Sequence, residues 1–373
     1  MRFDDIKIPF NDPSRKFRND SQLIHEISKF INNGPYLKGK YLEDFENDFA
    51  EYLNVKYCIG VASGTAALEL ALRSFDFPAG SKIGLTANAG GYGTISILKS
   101  NLIPFYLEVD HNGLLDIEKL ALINLADVKA IIVTNLYGQA VDVMALRSFT
   151  DNFGISIIED CAQSAGAKVG RVQSGSLSSV STFSFYPTKN LSSFGDSGAV
   201  CTNSSELANR IWALREYGWS KRYYAELSGG SNFRMDDLHA LCLSRQLPRL
   251  DSDNDRRRNI WKFYEDALQN EDRLIGNYSQ QFVAHLAIIF TKKRKKFLEY
   301  LENSGIRTAI HYPFPDYEQP AFRNYFQNNL DNTNEFCSSI LSIPLFPEML
   351  DSEVEYVEKV IRKWYMKKSV SYE

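Results

Sequence analysis

Short apolar runs alternate with helical stretches along the first 250 residues. Several runs are almost continuously apolar, which is typical of parallel strands that are covered on both faces. Strands are predicted at 57–62, 82–86, 103–109, 128–134, 155–158, 180–186 and 198–202. Amphipathic stretches predict helices at 21–33, 41–53, 65–74, 117–123 and 143–152. This alternation predicts an α/β fold with a mostly parallel central sheet flanked by helices.

The pattern changes after Leu250, where a block of charged residues at 251–258 opens a helical stretch. The remainder alternates helices, predicted at 256–269, 292–304 and 352–367, with short strands such as the one predicted at 284–290. We therefore predict two domains, a large α/β domain over 1–250 and a smaller α+β C-terminal domain over 251–373.

Composition limits the classes of function. The 373 residues are 44% hydrophobic and 24% charged, so the chain can bury a large core. A net charge of −4 gives no indication of a nucleic-acid partner, and the basic run at 292–296 is more typical of a solvated helix face. The sequence has no long apolar run and no apparent signal peptide, and its five cysteines are scattered. We expect a cytoplasmic protein without a membrane, nucleic-acid or metal partner.

A lysine follows one predicted strand at a place where a ligand could bind. Pro187 ends the strand-like run at 180–186 because it cannot continue a ladder, and Lys189 lies just beyond it. Ligands of open α/β sheets bind outside the carboxyl ends of the strands. A partly desolvated lysine there can lose its proton and form a Schiff base with an aldehyde cofactor, pyridoxal phosphate. Considered alone, Lys189 would more often be an ordinary surface lysine after a strand.

Two acidic residues follow the strand predicted at 155–158. Pyridoxal chemistry needs a carboxylate beside the pyridine nitrogen, because a protonated nitrogen lets the ring accept electrons from the substrate. Asp160 is the candidate for this role. Glu159 points to the opposite face of the pleat and is the weaker choice. Considered alone, Asp160 could also be a helix N-cap.

The stretch Ser63-Gly64-Thr65 offers a site for a phosphate group. It follows a predicted strand and opens a helix, and backbone N–H groups at a helix N-terminus bind anions. Ser184 alternates with two phenylalanines, so its hydroxyl points away from their rings and could reach the same phosphate. The stretch lacks the spacing of a P-loop, which argues against nucleoside triphosphate chemistry. Ser63 as an N-cap without a ligand is the alternative.

Five separated motifs resemble those of the nucleotide-sugar aminotransferase family of the DegT/StrS type, in the same order. They are Ser-Gly-Thr at 63–65, Glu-Asp-Cys-Ala-Gln at 159–163, Phe-Ser-Phe-Tyr-Pro-Thr-Lys-Asn at 183–190, Gly-Asp-Ser-Gly-Ala at 195–199 and Asn-Phe-Arg-Met-Asp at 232–236. The similarity extends over nearly the whole chain. It implies a fold-type-I pyridoxal-phosphate enzyme that forms a homodimer with both active sites at the interface.

The resemblance implies a role for each residue that matches a family motif. Lys189 is expected to bind the cofactor covalently and to move protons, Asp160 to contact the pyridine nitrogen, and Gln163 to lie near the ring hydroxyl. The phosphate is expected to be held by small and polar residues, which are Gly64, Thr65, Ser184 and, reaching across from the partner subunit, Asn232. Without the resemblance, Gln163 could simply cap a helix and Asn232 could be only a loop residue.

The segment at 86–94 departs from the commonest family pattern, which has a proline and two aromatic residues before the ring-stacking position. We assign Tyr92 to the face of the cofactor ring, because stacking requires an aromatic plane. Together with Tyr217-Gly218-Trp219-Ser220, this variant resembles the branch that acts on 3-keto deoxyhexoses linked to dTDP. The stretch His311-Tyr312-Pro313 resembles another family landmark, and we expect His311 and Tyr312 to contact the substrate.

The resemblance implies transfer of an amino group from glutamate, which becomes 2-oxoglutarate, to a keto sugar nucleotide. The expected substrate is a dTDP-3-keto-6-deoxyhexose, and the product a dTDP-3-amino-3,6-dideoxyhexose for surface polysaccharide such as the O-antigen of lipopolysaccharide. A 4-keto sugar linked to dTDP or UDP is the alternative. A pyridoxal-phosphate sugar dehydratase is less favoured, because a histidine replaces the lysine in those relatives. A non-catalytic sugar-nucleotide binder would not need the lysine, the aspartate and the phosphate site together.

Overall fold

The computed structural model describes residues 7–369 except 19, 270, 328 and 329. In chain order the strands are β1 (Tyr57–Val61), β2 (Lys82–Thr86), β3 (Ile103–Leu107), β4 (Val128–Thr134), β5 (Ser156–Asp160), β6 (Lys168–Val169), β7 (Val172–Gln173), β8 (Val180–Ser184), β9 (Gly198–Thr202), β10 (Trp219–Lys221), β11 (Tyr224–Ala225), β12 (Arg273–Leu274), β13 (Ala287–Phe290) and β14 (Ile340–Ile343).

Helices lie between many of these strands and at both ends of the described chain. They are α1 (Pro13–Phe17), α2 (Ser21–Asn33), α3 (Lys40–Leu53), α4 (Gly64–Ser74), α5 (Tyr92–Lys99), α6 (Ile117–Leu120), α7 (Val143–Thr150), α8 (Ser205–Arg215), α9 (Asp237–Gln246), α10 (Leu250–Glu265), α11 (Arg294–Asn303), α12 (Asp331–Ser339) and α13 (Asp351–Ser369). Short 3₁₀ turns lie at Leu136–Gly138, Asp151–Phe153, Leu247–Arg249, Asp316–Glu318 and Arg323–Tyr325.

A seven-stranded sheet with the spatial order β1-β9-β8-β5-β4-β2-β3 forms the centre of the structure. Strands β8, β5, β4, β2 and β3 are parallel to one another. Strand β9 is antiparallel to both of its neighbours, β8 and β1. The prediction of a mostly parallel sheet is therefore confirmed, and all seven strands predicted for it are present.

Helices cover both faces of this sheet. On one face α4 packs between the sheet and the helices α5 and α8, and most of its side chains are buried. On the other face α3 and α9 enclose an aromatic core, in which Phe183 and Phe185 pack edge-on against Phe49. Because side chains alternate along a strand, the two phenylalanines of the β8 segment point away from Ser184 between them.

A second, antiparallel sheet of β12, β13 and β14 lies in the C-terminal part of the chain. It shares a core with α10, α11 and α13, in which Trp261, Tyr264 and Phe297 are buried. The predicted helix at 256–269 begins earlier, at Leu250, because the charged block forms its first turns. Asp251 and Asp253 lie in the first turn, where negative charge is favourable. The domain boundary after Leu250 stays a prediction.

In the described part of the chain, none of the helices combines the length and the hydropathy that a membrane span requires. All five cysteines are buried free thiols. The described residues also contain no group of three or more histidine, cysteine, aspartate or glutamate side chains that could hold a metal ion.

Candidate active site

The lysine singled out in the sequence lies beyond the carboxyl end of β8, beside the end of β5. Its backbone N–H donates to the carbonyl of Tyr186 at 2.8 Å, which closes a tight turn around Pro187. The side chain of Lys189 is only partly exposed. Its amine interacts through charge with Asp160 and lies close enough to His285 and His311 to lower the pKa of both. The lysine and the aspartate thus lie close together at one edge of the sheet.

Burial controls the protonation of the amine. It lowers the pKa of Lys189 from its usual 10.5 to about 8, and the negative charge of Asp160 opposes this shift. Burial also lowers the pKa of His311 to about 4 and that of His285 well below its usual range. Both histidines are therefore neutral near pH 7. A substantial fraction of the lysine is uncharged at mildly alkaline pH, and an uncharged amine can act as a nucleophile or base.

Asp160 is the last residue of β5 and is buried. Burial raises the pKa of its carboxyl, while the backbone N–H of Ala162, the charge of Lys189 and the hydroxyl of Thr134 lower it. The Ala162 N–H donates to Oδ1 at 3.1 Å. The side chain of Glu159 is also buried but has different partners. Its Oε1 accepts from Asn135 Nδ2 at 2.8 Å and from the hydroxyl of Ser174 at 3.1 Å. Among the two acids, Asp160 alone interacts with the lysine charge.

Gln163 joins two segments beside Asp160. Its Oε1 accepts from the backbone N–H of Tyr137 at 2.7 Å, and its Nε2 donates to the hydroxyl of Tyr312 at 3.5 Å. The hydroxyl of Tyr137 in turn donates to the carbonyl of His311 at 2.5 Å. The ring of His311 bonds through Nδ1 to the hydroxyl of Ser342 at 2.8 Å. Gln163, His311 and Tyr312 thus lie together in the structure.

The predicted phosphate site is a tight cradle. Ser63 caps α4, because its hydroxyl accepts from the backbone N–H of Ala66 at 3.1 Å. Gly64 and Thr65 are the first two residues of the helix, where backbone N–H groups attract anions. A Cβ atom at residue 64 would lie 2.6 Å from the Cβ of Ser184, so only glycine allows this approach. The cradle places small residues and a hydroxyl at a positive helix end, which fits the phosphate of pyridoxal phosphate.

Two tyrosines lie near each other on segments from different parts of the chain. Tyr92 opens α5 and is 49% exposed. Its ring centroid lies 6.3 Å from that of Tyr312, with the ring planes nearly perpendicular. A Cβ at Gly90, which has a φ of +77°, would lie 2.8 Å from the ring of Tyr312. An exposed aromatic surface beside the cradle is available to stack on a planar ring.

A buried polar network, which was not predicted from the sequence, lies beneath the lysine turn. The amine of Lys16 donates to the carbonyl of Asn190 at 2.9 Å and to the hydroxyl of Ser192 at 3.0 Å. Asn190 donates to Oδ1 of Asn254 at 2.7 Å and bonds to Nδ1 of His285 at 2.8 Å. The network fixes the residue that follows the lysine.

Neither Thr134 nor Tyr137 was predicted as a site residue from the sequence. A signal for Thr134 was present, because it is a polar residue that ends an apolar strand, and the register pairs it with Asp160. Tyr137 has a φ of +61°, which is unusual for a residue other than glycine. A tyrosine in the sequence does not predict this backbone conformation.

Asn232 lies away from the turn of Lys189 in sequence and is exposed. It bridges to Glu216, and its Oδ1 accepts from Nε of Arg234 at 3.0 Å. The next residue, Phe233, accepts through its carbonyl from the N–H of Ala62 at 2.8 Å, one residue before the cap of the cradle helix. The part of the chain that carries Asn232 therefore reaches the edge of the sheet next to the cradle.

Comparison with known proteins identifies relatives over almost the whole chain. Residues 18–362 match the DegT/DnrJ/EryC1/StrS aminotransferase family. The dTDP-3-amino-3,6-dideoxy-α-D-galactopyranose transaminase of Aneurinibacillus thermoaerophilus is 35% identical over 361 residues, which cover 96% of this chain and 99% of that protein.

Solved structures agree with this match. The crystal structure of DesV from S. venezuelae in complex with a ketimine intermediate has a TM-score of 0.92 and 32% identity, covering 96% of this chain and 98% of that one. The structure of NtdA from Bacillus subtilis with the bound cofactor PMP has a TM-score of 0.89 and 25% identity, covering 95% of this chain and 84% of that one. The predicted fold class is confirmed by these neighbours.

We expect the amine of Lys189 to titrate with a pKa near 8 in the protein without cofactor. The rate at which an amine-reactive aldehyde modifies Lys189 should rise with pH through a midpoint of about 8. Asp160→Asn should move the midpoint lower, because the aspartate charge raises the pKa of the lysine. Mass spectrometry of the peptide that contains residue 189, followed over pH, measures the midpoint.

Glu159→Gln is the matched control, because it removes a neighbouring buried carboxylate that has its own hydrogen-bond partners. This variant should leave the midpoint of Lys189 unchanged. A wild-type midpoint close to 10.5 would contradict the description of the amine as desolvated.

Proposed function

We infer the function from one premise: the chain belongs to the DegT/DnrJ/EryC1/StrS aminotransferase family. It is a pyridoxal-phosphate-dependent sugar aminotransferase. The observation that carries this conclusion is the meeting of the Lys189 amine, the buried Asp160 carboxyl and a glycine-lined helix N-terminus at one end of the sheet. A non-catalytic binder of the same fold would not need this combination. The presence of a lysine at 189 argues against the dehydratase alternative.

We propose the following roles for the residues of the site. The cofactor supplies an aldehyde for covalent attachment and a ring that accepts electrons from the substrate carbon. Lys189 attaches the cofactor, and its Nζ takes and returns the proton at the substrate carbon, since its pKa of about 8 suits proton transfer near neutral pH. Asp160 supplies the negative charge that keeps the ring nitrogen protonated.

Other residues orient the cofactor and the substrate. Gly64, Thr65 and Ser184 hold the phosphate, Gln163 lies near the ring hydroxyl, and Tyr92 covers one ring face. His311 and Tyr312 contact the sugar. Both histidines are neutral near pH 7, so the amine can lose its proton without a change in their charge.

A cavity on the surface supports a nucleotide-linked substrate. It has a volume of about 670 Å³ and lies at the hairpin of β10 and β11. We call it the hairpin basin, and it is lined by four cationic residues, three aromatic residues, one serine and one acid, which are Lys38, Lys221, Arg222, Arg234, Tyr217, Trp219, Tyr223, Ser220 and Glu216. Cations suit a diphosphate and aromatic planes suit a base, so the basin fits a nucleoside diphosphate.

The substrate we propose is a dTDP-3-keto-6-deoxyhexose, and glutamate is the amino donor. The relative from A. thermoaerophilus, named for a dTDP-3-amino-3,6-dideoxyhexose, supports this choice at 35% identity. A 4-keto sugar linked to dTDP or UDP is the second candidate. We also propose that the product serves surface polysaccharide synthesis, such as that of O-antigen. We propose the cytoplasm as the location, because its reducing conditions agree with five buried free thiols.

We further propose a homodimer in which Asn232 of one subunit reaches the cofactor phosphate of the other. Several large apolar side chains are exposed on the elements near the basin and the lysine turn, which are Ile31, Tyr36, Leu37, Tyr186 and Phe194. A second copy of the chain would cover them. Asn232 is itself exposed, which suits a residue that acts on a partner.

Lys189→Ala should abolish amine transfer, because it removes both the attachment point and the base. The wild-type protein, given glutamate and a panel of dTDP- and UDP-linked 3-keto and 4-keto sugars, should add an amine to a dTDP-3-keto-6-deoxyhexose. Mass spectrometry of the products measures this. Lys129→Ala, at an exposed lysine of β4, is the control and should behave as wild type. Turnover by Lys189→Ala would contradict the assignment, and loss of water without gain of an amine would indicate the dehydratase.

Lys221→Ala and Arg222→Ala should each raise KM for the sugar nucleotide about tenfold, because each removes a cation that pairs with the diphosphate. The KM for glutamate should stay unchanged, since glutamate carries no diphosphate. Steady-state kinetics with each substrate varied in turn separate the two effects. Lys295→Ala removes an exposed cation outside the basin and serves as the control. An unchanged KM for the sugar nucleotide in both variants would exclude the basin as the diphosphate site.

Mixing two impaired variants tests the shared site. In Asn232→Asp a new negative charge would repel the phosphate, and Lys189→Ala removes the base. After subunit exchange the mixture should regain about a quarter of the wild-type activity, because half of the dimers are mixed and each has one intact site. If Asn232 acted within its own subunit, the mixture would have no more activity than the average of the two variants.

A further inference from the structure

A buried acid joins the two segments that carry Tyr92 and Tyr312. The backbone N–H of Asp316 donates to the carbonyl of Ala87 at 2.7 Å. Its Oδ2 accepts from the hydroxyl of Thr94 at 2.6 Å. Asp316 is 1% exposed and Thr94 is fully buried. We call the side-chain bond between these two residues the 94–316 bridge.

Each tyrosine lies close in sequence to one end of the bridge. Tyr92 is two residues before Thr94, and Tyr312 is four residues before Asp316. Gly90 and Gly91 directly precede Tyr92 and have φ values of +77° and +83°. Gly90 packs against Tyr312, and Gly91 packs against Phe322. The glycines allow the segments to approach closely but do not fix their positions, since glycine is conformationally permissive. The bridge is a buried side-chain hydrogen bond that ties the segments together, in addition to the contact between the rings of Tyr92 and Tyr312.

Burying the Asp316 carboxyl costs free energy that a purely structural link would not require. Its Oδ1 is buried and forms no hydrogen bond of normal geometry with the described residues. Burial raises the pKa of Asp316 to about 7, although the hydroxyl of Thr94 and the backbone N–H of Gly91 partly lower it. A buried carboxyl oxygen without a hydrogen bond has lost its hydration without compensation, which destabilises the fold. The position of the acid beside the two tyrosines suggests what it contributes.

We propose that Asp316 is a positioning residue that, through its bond to Thr94, holds Tyr92 in place against Tyr312 beside the lysine site. This inference rests on the proposed function, because Tyr92 is proposed to cover the cofactor ring. The bridge sets where the segment at 87–94 lies relative to the segment at 312–316. When the bridge is lost, the ring of Tyr92 moves away from the cofactor, and binding weakens by the loss of an aromatic stack.

Thr94→Val tests the proposal, because valine has nearly the shape of threonine but cannot donate a hydrogen bond. Its dissociation constant for pyridoxal phosphate, measured by absorbance titration of the cofactor-free protein, should be about three- to tenfold above that of wild type. Thr94→Ser keeps the hydroxyl and should bind as wild type does. The kcat/KM for the keto sugar should fall in Thr94→Val and recover in Thr94→Ser.

Thr333→Val is the matched control for lost stability. The hydroxyl of Thr333 is also buried and also donates to a buried carboxylate, that of Glu108, at 2.7 Å. Both valine variants should lower the melting temperature to a similar extent. Thr94→Val alone should weaken cofactor binding. Equal dissociation constants for the two valine variants would overturn the proposal.

Asp316→Asn keeps the test decisive if Thr94→Val does not fold. Asparagine retains an acceptor for Thr94 but removes the charge, so it should weaken cofactor binding about threefold, less than full loss of the bridge. Wild-type affinity in this variant would then overturn the proposal. If the wild-type protein itself bound no pyridoxal phosphate, the proposed function would fail, and that result is distinct from equal binding by wild type and variants.

Discussion

The site depends on a single constraint, which is that an amine must be held out of water next to one buried carboxyl. Burial alone lowers the pKa of Lys189 and raises that of Asp160, and the attraction between their charges opposes both shifts. The two effects leave an amine that can be charged or neutral near physiological pH. The parallel sheet makes this possible, because it brings the end of β5 and the turn after β8 to the same edge.

The amine can serve this purpose only if the turn that carries it is rigid. The residue after Lys189 is Asn190, whose side chain is bonded on both its donor and acceptor sides, to Asn254 and to His285. Its backbone carbonyl accepts from Lys16. Burial of His285 lowers its pKa well below the usual range, so the ring stays neutral and its bond to Asn190 does not change with pH near neutrality. The side chain of Asn190 is thus held by groups that stay neutral, whereas burial lowers the pKa of Lys16 to about 8, so this amine titrates in the same range as Lys189.

The sequence predicted the central sheet and the residues at its carboxyl edge because their signals are local. Apolar runs identify β4, β5 and β8, and the residues that end them follow directly. The supporting residues were not predicted, since their partners are far apart in sequence. Thr94 and Asp316 are 222 residues apart, and no periodicity connects them. The helix α5 was also missed, because it follows two glycines that suggest a loop.

The roles of the individual residues rest on chemistry that the pattern of the chain alone does not specify. The burial of Lys189 and the close packing around Gly64 give each residue an environment that fits its proposed role. Asn232 has no such environment within one subunit. The role that we propose for Asn232 depends on a second chain, and a sequence carries no direct record of which surfaces meet.

The bond between Lys16 and the carbonyl of Asn190 spans 174 residues, and that between Asn190 and His285 spans another 95. During synthesis the nascent chain therefore cannot complete the floor of the lysine turn until more than three-quarters of it has emerged from the ribosome. Contacts of such long range slow folding, because the chain must close large loops before the contacts stabilise it. The floor of the turn is therefore complete only when α1, which carries Lys16, has docked against a segment from much later in the chain.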